Sequence, residues 1–341
     1  GYAFWLCLWY AGLRSMQSRP APVPAAGKRR SRGQRRARTS PVEHAVVVTI
    51  VGLVIVFLGT FWSVRASATI SQQSRFTPSD GWCNALAWMK QNTPDPLGEP
   101  DSYYKEYDST SFKYPPTAYG VTAWWDYGYW IVRMGHRIPS ANPGQSPEQI
   151  RNVARLFLSQ DEASAREVML KLQSSYVIID YKTVSSIFWA IAVWGGHDQA
   201  QYSDIFYTPE KPQDTRLVPV RVYYTDYYRT LVARLFNFEG KAVTTERPLV
   251  VLYKDVPQGR ETIKQVSEVR SFSSYADAQA FAGSQKGSKA KVVSSNPFVS
   301  PVALEAMKSY SLVYSSPSAP SNNQVSDSES MPDVKVFQFS R

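Results

Sequence analysis

The chain has 341 residues, 43% of them hydrophobic and 13% aromatic, with a formal net charge of +10. The charge is lopsided: residues 1–65 hold ten basic residues against one acid, Glu43, a net of +9, which leaves about +1 for residues 66–341. That near-neutral remainder offers no basic stripe for a phosphodiester backbone and argues against a nucleic-acid binder. Cys7 and Cys83 are the two cysteines, and no CxxC or Cys/His ligand spacing accompanies them, which speaks against a structural zinc site.

In chain order, residues 1–13 (GYAFWLCLWYAGL) are uncharged and read as the end of a transmembrane helix. Residues 14–43 form a Pro/Ala/Arg-rich stretch that reads as a solvated loop, and short Lys/Arg-rich loops stay in the cytoplasm. Residues 44–65 are predicted to be a second transmembrane helix. Ala45 to Val64 contains no charge, and twenty residues at about 1.5 Å each span roughly 30 Å of hydrocarbon. This orientation places everything after Arg65 outside the cell.

Ser79 or Asp80 can cap a helix through Trp82, Leu86, Ala87 and Met89 that ends near Asn92-Thr93-Pro94. Residues 101–119 are Tyr-rich and polar. A short helix follows from Trp125 to about Met134, and another begins at Ser146-Pro147-Glu148, with proline at the first helical position. A further helix covers Ala163 to Leu172, and Tyr176–Asp180 reads as a buried strand. Val184 to Trp194 reads as one helix stopping at Gly195-Gly196. Val218–Tyr224, Pro248–Tyr253, Val266–Phe272, Ala290–Val293 and Val334–Phe339 read as strands, with helices at Asp226–Phe236 and Tyr275–Phe281. The expected division is a central core domain at 66–245 and a β-rich peripheral domain at 246–341.

The chemistry concentrates in Trp124-Trp125-Asp126-Tyr127-Gly128. A hydroxyl offers one donor and two acceptor lone pairs; two indole N–H donors and one carboxylate acceptor match that inventory. The indole rings also exclude water, which strengthens each bond. Gly128 is expected to supply a positive φ and a sharp turn beside the pocket. A Trp-rich core with an aspartate capping a turn is the plainer reading of the same residues.

This string resembles the signature of the catalytic subunit of oligosaccharyltransferase. With Tyr129-Trp130-Ile131, Arg133, His136, Arg137 and Asn142 following, it is most similar to archaeal members. The resemblance covers roughly residues 45–195, and the later region weakly. It implies a mixed α/β (α+β) extracytoplasmic domain following the transmembrane helices of a GT-C type glycosyltransferase, with a β-rich C-terminal tail. It also implies transfer of a lipid-linked oligosaccharide to Asn in Asn-X-Ser/Thr sequons of an acceptor polypeptide. Trp124, Trp125 and Asp126 would bind the Ser/Thr hydroxyl, flanked by Tyr127 and Gly128. The family's second element is a helix supplying an apolar contact to the threonine methyl. Val184-Ser-Ser-Ile187 fits its Met/Ile type with Val in place of Met, so Ile187, with Val184, is expected to make that contact. An acceptor with Ala in place of Ser/Thr would leave buried polar groups unpaired and be rejected by roughly 10⁴-fold or more. Family members use a divalent metal, Mg or Mn, held by acids of the N-terminal membrane domain, which the chain lacks. The resemblance therefore implies no catalytic residue or metal ligand in this stretch, and no activity from it alone. The competing expectation is a non-catalytic, membrane-anchored extracytoplasmic binding module with an aromatic face.

Overall fold

The computed structural model describes residues 41–73, 77–108, 110–144, 146–211, 216–245, 247–285, 289–317 and 332–341. The expectations for residues 1–13 and 14–40 and for Cys7 lie outside these residues. The chain divides into two units, residues 1–75 and 76–341.

In the first unit, α1 (Pro41–Gln73) is one uninterrupted helix. Its stretch Ala45–Ser71 is long and apolar enough to cross a membrane. The helix extends eight residues past the expected boundary at residue 65. Nothing from Ala66 to Gln73 breaks it, because the stretch holds neither glycine nor proline.

The second unit is built on a five-stranded mixed sheet and a small closed barrel. α2 (Asp80–Asn92) starts where Ser79 accepts a hydrogen bond from the Trp82 amide, as the sequence predicts. β1 (Gly120–Thr122) pairs in parallel with β2 (Ile138–Pro139) and β3 (Ser174–Asp180). Between β1 and β2 lies α3 (Gly128–Arg133), preceded by a 3-10 turn at Trp125–Tyr127. α4 (Pro147–Leu158) and α5 (Glu162–Lys171) lead into β3. Asp161 caps α5 by accepting from the Ser164 amide.

After β3 the expected single helix is two. α6 (Tyr181–Val184) ends at Ser185, whose φ of −119° and ψ of −89° leave the helical region, and α7 (Phe188–Trp194) begins after Ile187. Two consecutive serines favour the break, and the Ser185 hydroxyl bonds back to the Tyr181 carbonyl at 2.6 Å. The expected helix at Asp226–Phe236 is likewise split into α8 (Thr225–Arg229) and α9 (Leu231–Phe238) at Thr230. That residue leaves the helix and caps α9 through its side chain.

The strands β4 (Ser203–Pro209), β5 (Leu217–Tyr224), β6 (Leu249–Gln258), β7 (Glu261–Ser271) and β8 (Lys289–Ser294) form the barrel, in order β4-β5-β8-β6-β7. It closes where β4 meets β7 in parallel at Phe206–Lys264 and Tyr207–Gln265. Phe206, Val222, Tyr224, Val251, Tyr253 and Val293 fill it. On the alternate positions of β6, Val250 and Leu252 pack with Ala278 of α10 (Tyr275–Ser284).

β9 (Tyr310–Ser315) and β10 (Val334–Phe339) then return to the first sheet, giving the order β2-β1-β3-β10-β9. β10 runs antiparallel to β3, with Val336 opposite Ile178 and Phe337 opposite Val177. Strands from before and after residue 245 therefore share both sheets. We propose that the division follows the sheets, with the barrel strands β4–β8 set into a core domain that α8, α9, β9 and β10 complete. A linear reading sees consecutive β segments in one tail; the pairing partner of β10 lies more than 150 residues upstream.

Phe337 is fully buried and Val269 is exposed. Phe337→Ala is expected to cost about 3–5 kcal/mol in chemical denaturation, whereas Val269→Ala on the barrel should stay within about 0.5 kcal/mol. Equal small effects at both positions would contradict a core that depends on β10.

Candidate functional site

The buried Asp180 carboxylate, at the end of β3, ties three elements together. It accepts from the Trp82 indole Nε1 of α2 at 3.0 Å, from the Thr183 amide at 2.8 Å and from the Thr183 hydroxyl at 2.5 Å. The last two bonds make it the N-cap of α6. Such bonds to a charged acceptor are stronger than neutral ones, and they satisfy a carboxylate that is costly to bury alone.

Tyr127 is the next neighbour. Its ring lies 4.4 Å from that of Trp82 and 5.2 Å from that of Trp130, centroid to centroid. Its hydroxyl has no well-formed hydrogen bond among the described residues. Burial first, and then the Asp180 carboxylate, push its pKa far above the ordinary tyrosine value. Tyr127 is thus a buried strut that joins the turn to Asp180, not a surface ready for a ligand.

The remaining residues of the motif face different surroundings. Trp124 has extended backbone (φ −60°, ψ 142°) and is 2% exposed, so it anchors the turn in the core. Trp125 is half-buried and Asp126 is exposed. The two indoles are 6.4 Å apart and inclined at 55°. The Trp125 Nε1 atom is buried and has no hydrogen-bond partner among the described residues. An unpaired buried donor forfeits about 1–3 kcal/mol. Beside it, desolvation pushes the Asp126 pKa up; the Trp124 indole N–H, bonding to the carboxylate, pulls it down, and Asp180 adds a smaller upward push.

Gly128 corrects one expectation. Its φ of −56° and ψ of −41° are right-handed helical, so no positive φ is required there. Space is what glycine supplies. A Cβ at this position would sit 2.5 Å from both the Ala141 carbonyl oxygen and the Asn142 Cβ. The turn and the 141–142 segment are pressed together through that one missing carbon.

In the second predicted element, Val184 is 2% exposed and its carbonyl accepts from the Tyr227 hydroxyl at 2.9 Å. It is a core residue. Ile187 sits at the break between α6 and α7 and is half-buried. Asp180 joins the two predicted elements, since it caps the helix that ends at Val184 and lies beside Tyr127 of the aromatic turn.

Sequence reasoning did not assign Asp180, Trp82 or Arg137. The Asp-X-X-Thr spacing after a strand was a readable capping signal for Asp180. Arg137, 1% exposed, donates to the carbonyls of Met89, Lys90 and Thr93 at 3.0, 3.3 and 2.6 Å, and so closes the C-terminus of α2. Among the described residues no group of three or more His, Cys, Asp or Glu side chains is placed to hold a metal ion.

With this geometry in view, comparison with known proteins defines the class. Residues 79–184 match the AglB core domain. The chain is similar to archaeal oligosaccharyltransferases over much of its length. It is 33% identical over 198 residues to dolichyl-phosphooligosaccharide-protein glycotransferase 3 of Archaeoglobus fulgidus, covering 50% of this chain and 23% of that protein. It is 29% identical over 301 residues to the glycotransferase AglB of Haloferax volcanii, covering 80% of this chain and 28% of the relative. The chain thus spans about a quarter of the length of these curated relatives. Among solved structures, the A. fulgidus oligosaccharyltransferase tethered to an acceptor peptide with an NVT sequon matches at 30% identity and a TM-score of 0.42. That match covers 53% of this chain and 24% of the other. A. fulgidus AglB in complex with an inhibitory peptide and a dolichol-phosphate matches at 19% identity and a TM-score of 0.47, covering 97% and 38%.

The raised pKa of Asp126 has a consequence for stability. An acid whose folded pKa lies above its unfolded value of 3.8 is a cost when ionised, so its contribution worsens as pH rises through that range. Asp126→Asn is expected to raise the melting temperature at pH 7, with the gain shrinking as the pH falls towards 3.8. A variant less stable than the parent at pH 7 would contradict this electrostatic account.

Proposed function

We propose that this chain is the acceptor-reading part of a membrane oligosaccharyltransferase that transfers a lipid-linked oligosaccharide to the asparagine of Asn-X-Ser/Thr sequons. The observation that carries the reading is the buried, unpaired Trp125 Nε1 on the 3-10 turn whose next residue is the exposed Asp126. A serine or threonine hydroxyl accepts from the first and donates to the second. Pairing the Trp125 donor with that hydroxyl recovers what it forfeits unpaired. The neighbouring Trp124 indole favours the ionised form of the Asp126 carboxylate. A site of this kind discriminates strongly, because an acceptor lacking the hydroxyl leaves both groups unmatched.

Ile187, at the break between α6 and α7, supplies the apolar contact for the threonine methyl, a preference over serine of about 1 kcal/mol. Val184 supports it from the core. The names of the curated relatives support the glycosyltransferase class. A related A. fulgidus structure was solved in complex with Zn and sulfate. The acids described in this chain do not fit such a metal site, since no group of them converges. In membranes, α1 anchors the protein, and the basic stretch before it keeps the folded unit on the outer side.

The test is glycan transfer by the longer protein of which this chain is a part, in membranes supplied with glycan donor. The peptides carry Thr, Ser or Ala at the third sequon position. Transfer to Thr and Ser only is expected. Trp125→Phe, which keeps the ring and removes the donor, should lower kcat/KM by about 10- to 100-fold. Undiminished transfer by Trp125→Phe would show that the hydroxyl is read elsewhere.

A further inference from the structure

A second cluster lies around His136, away from the groups used above. His136 is 6% exposed and held at a left-handed φ of 49°, a conformation that side chains other than glycine's rarely adopt. Its Nε2 lies 2.9 Å from the Tyr104 hydroxyl and 3.5 Å from Lys90 Nζ. A lysine ammonium can only donate, so Nε2 is the acceptor. Burial first, and then Lys90, lower the His136 pKa and keep the ring neutral. The Tyr103 ring stacks on it at 4.9 Å. Arg133 sits over the Tyr104 ring, its Cζ 5.6 Å from the centroid.

Two exposed cations are thus gathered on one tyrosine–histidine pair, and their donors are mostly unspent. Lys90 retains two of three N–H groups, and Arg133 makes no hydrogen bond among the described residues. Neither has an acidic partner within 4.0 Å among them, whereas nearby Lys105 is paired with Glu99 at 2.8 Å. Asp95, whose charge reaches His136, is already occupied by the Tyr103 hydroxyl and the amides of Leu97 and Gly98. Arg137 closes the carbonyl end of α2, which removes the negative helix terminus that would otherwise repel an anion.

We propose that Lys90, Arg133 and the Tyr104–His136 pair form a binding site for a terminal phosphate group. Lys90 acts as a point charge, Arg133 offers the paired N–H groups that match two phosphate oxygens, and Tyr104 and His136 fix the spacing between them. The ligand is either free phosphate or a phosphate carried on a lipid. The site stands on this geometry and does not depend on how the sequon is read.

The experiment measures binding to the full chain in neutral detergent at low salt by isothermal titration calorimetry. The probes are inorganic phosphate and a water-soluble short-chain isoprenyl monophosphate. Saturable binding of at least one probe is expected, weakened at least about ten-fold in Lys90→Gln/Arg133→Gln and unchanged in Lys105→Gln. Tighter binding of the isoprenyl monophosphate assigns the site to a lipid-borne phosphate, and equal affinities assign it to the free ion. No saturable binding of either probe, or binding that survives the double substitution in a variant with an unchanged melting temperature, overturns the proposal.

Discussion

The buried carboxylate of Asp180 is the constraint on which the aromatic turn depends. It sits where the central strand ends, and its three hydrogen bonds reach a helix from early in the chain and the helix that follows directly. Removing one partner of such a group leaves a charge or donor unpaired in the core, which costs far more than the bond itself. Trp82 is fixed by that bond, Tyr127 packs on Trp82, and the turn that carries Trp125 and Asp126 is therefore set at a defined position. Trp125 and Asp126 are held between two buried neighbours, Trp124 and Tyr127.

The same logic runs through the sheet. β3 carries Asp180, and it is flanked by β1, which leads into the aromatic turn, and by β10 from the end of the chain. β10 is buried at five of its six positions, so it is an interior strand of the core rather than an ornament on a tail. The Lys335 ammonium on that strand is accommodated by the Phe236 carbonyl at 2.9 Å and by Glu239 at 3.3 Å. The barrel between the two halves of the core has its own small interior.

The legible parts of the sequence were those with local causes. Ser79, Pro147 and the alternating residue types of Val334–Phe339 announce elements through capping, ring geometry and strand-like patterning, and the structure forms each of them. The breaks at Ser185 and Thr230 were missed because apolar periodicity continues across them; local side-chain bonds decide the outcome, the Ser185 hydroxyl bonding back to the Tyr181 carbonyl and the Thr230 side chain capping α9. The partnership of β10 with β3 is a long-range pairing that no local pattern encodes. Within the aromatic turn, residue types could be read but not their division of labour. Trp124 and Tyr127 are buried anchors, whereas Trp125 is half-buried and Asp126 exposed, a distinction set by packing partners distant in sequence. Gly128 was picked out for the wrong property, since its neighbour across the turn, Asn142, is visible only in three dimensions.

The most direct measurement is the indole ¹⁵N–¹H resonance of Trp125 in the detergent-solubilised chain, assigned by Trp125→Phe. It is followed as Asn-Val-Thr and Asn-Val-Ala peptides are added at equal concentration. A shift in the Trp125 signal with the threonine peptide and none with the alanine peptide is the result this account predicts. Equal shifts with both peptides, or shifts confined to other tryptophans, would contradict the claim that Trp125 reads the hydroxyl.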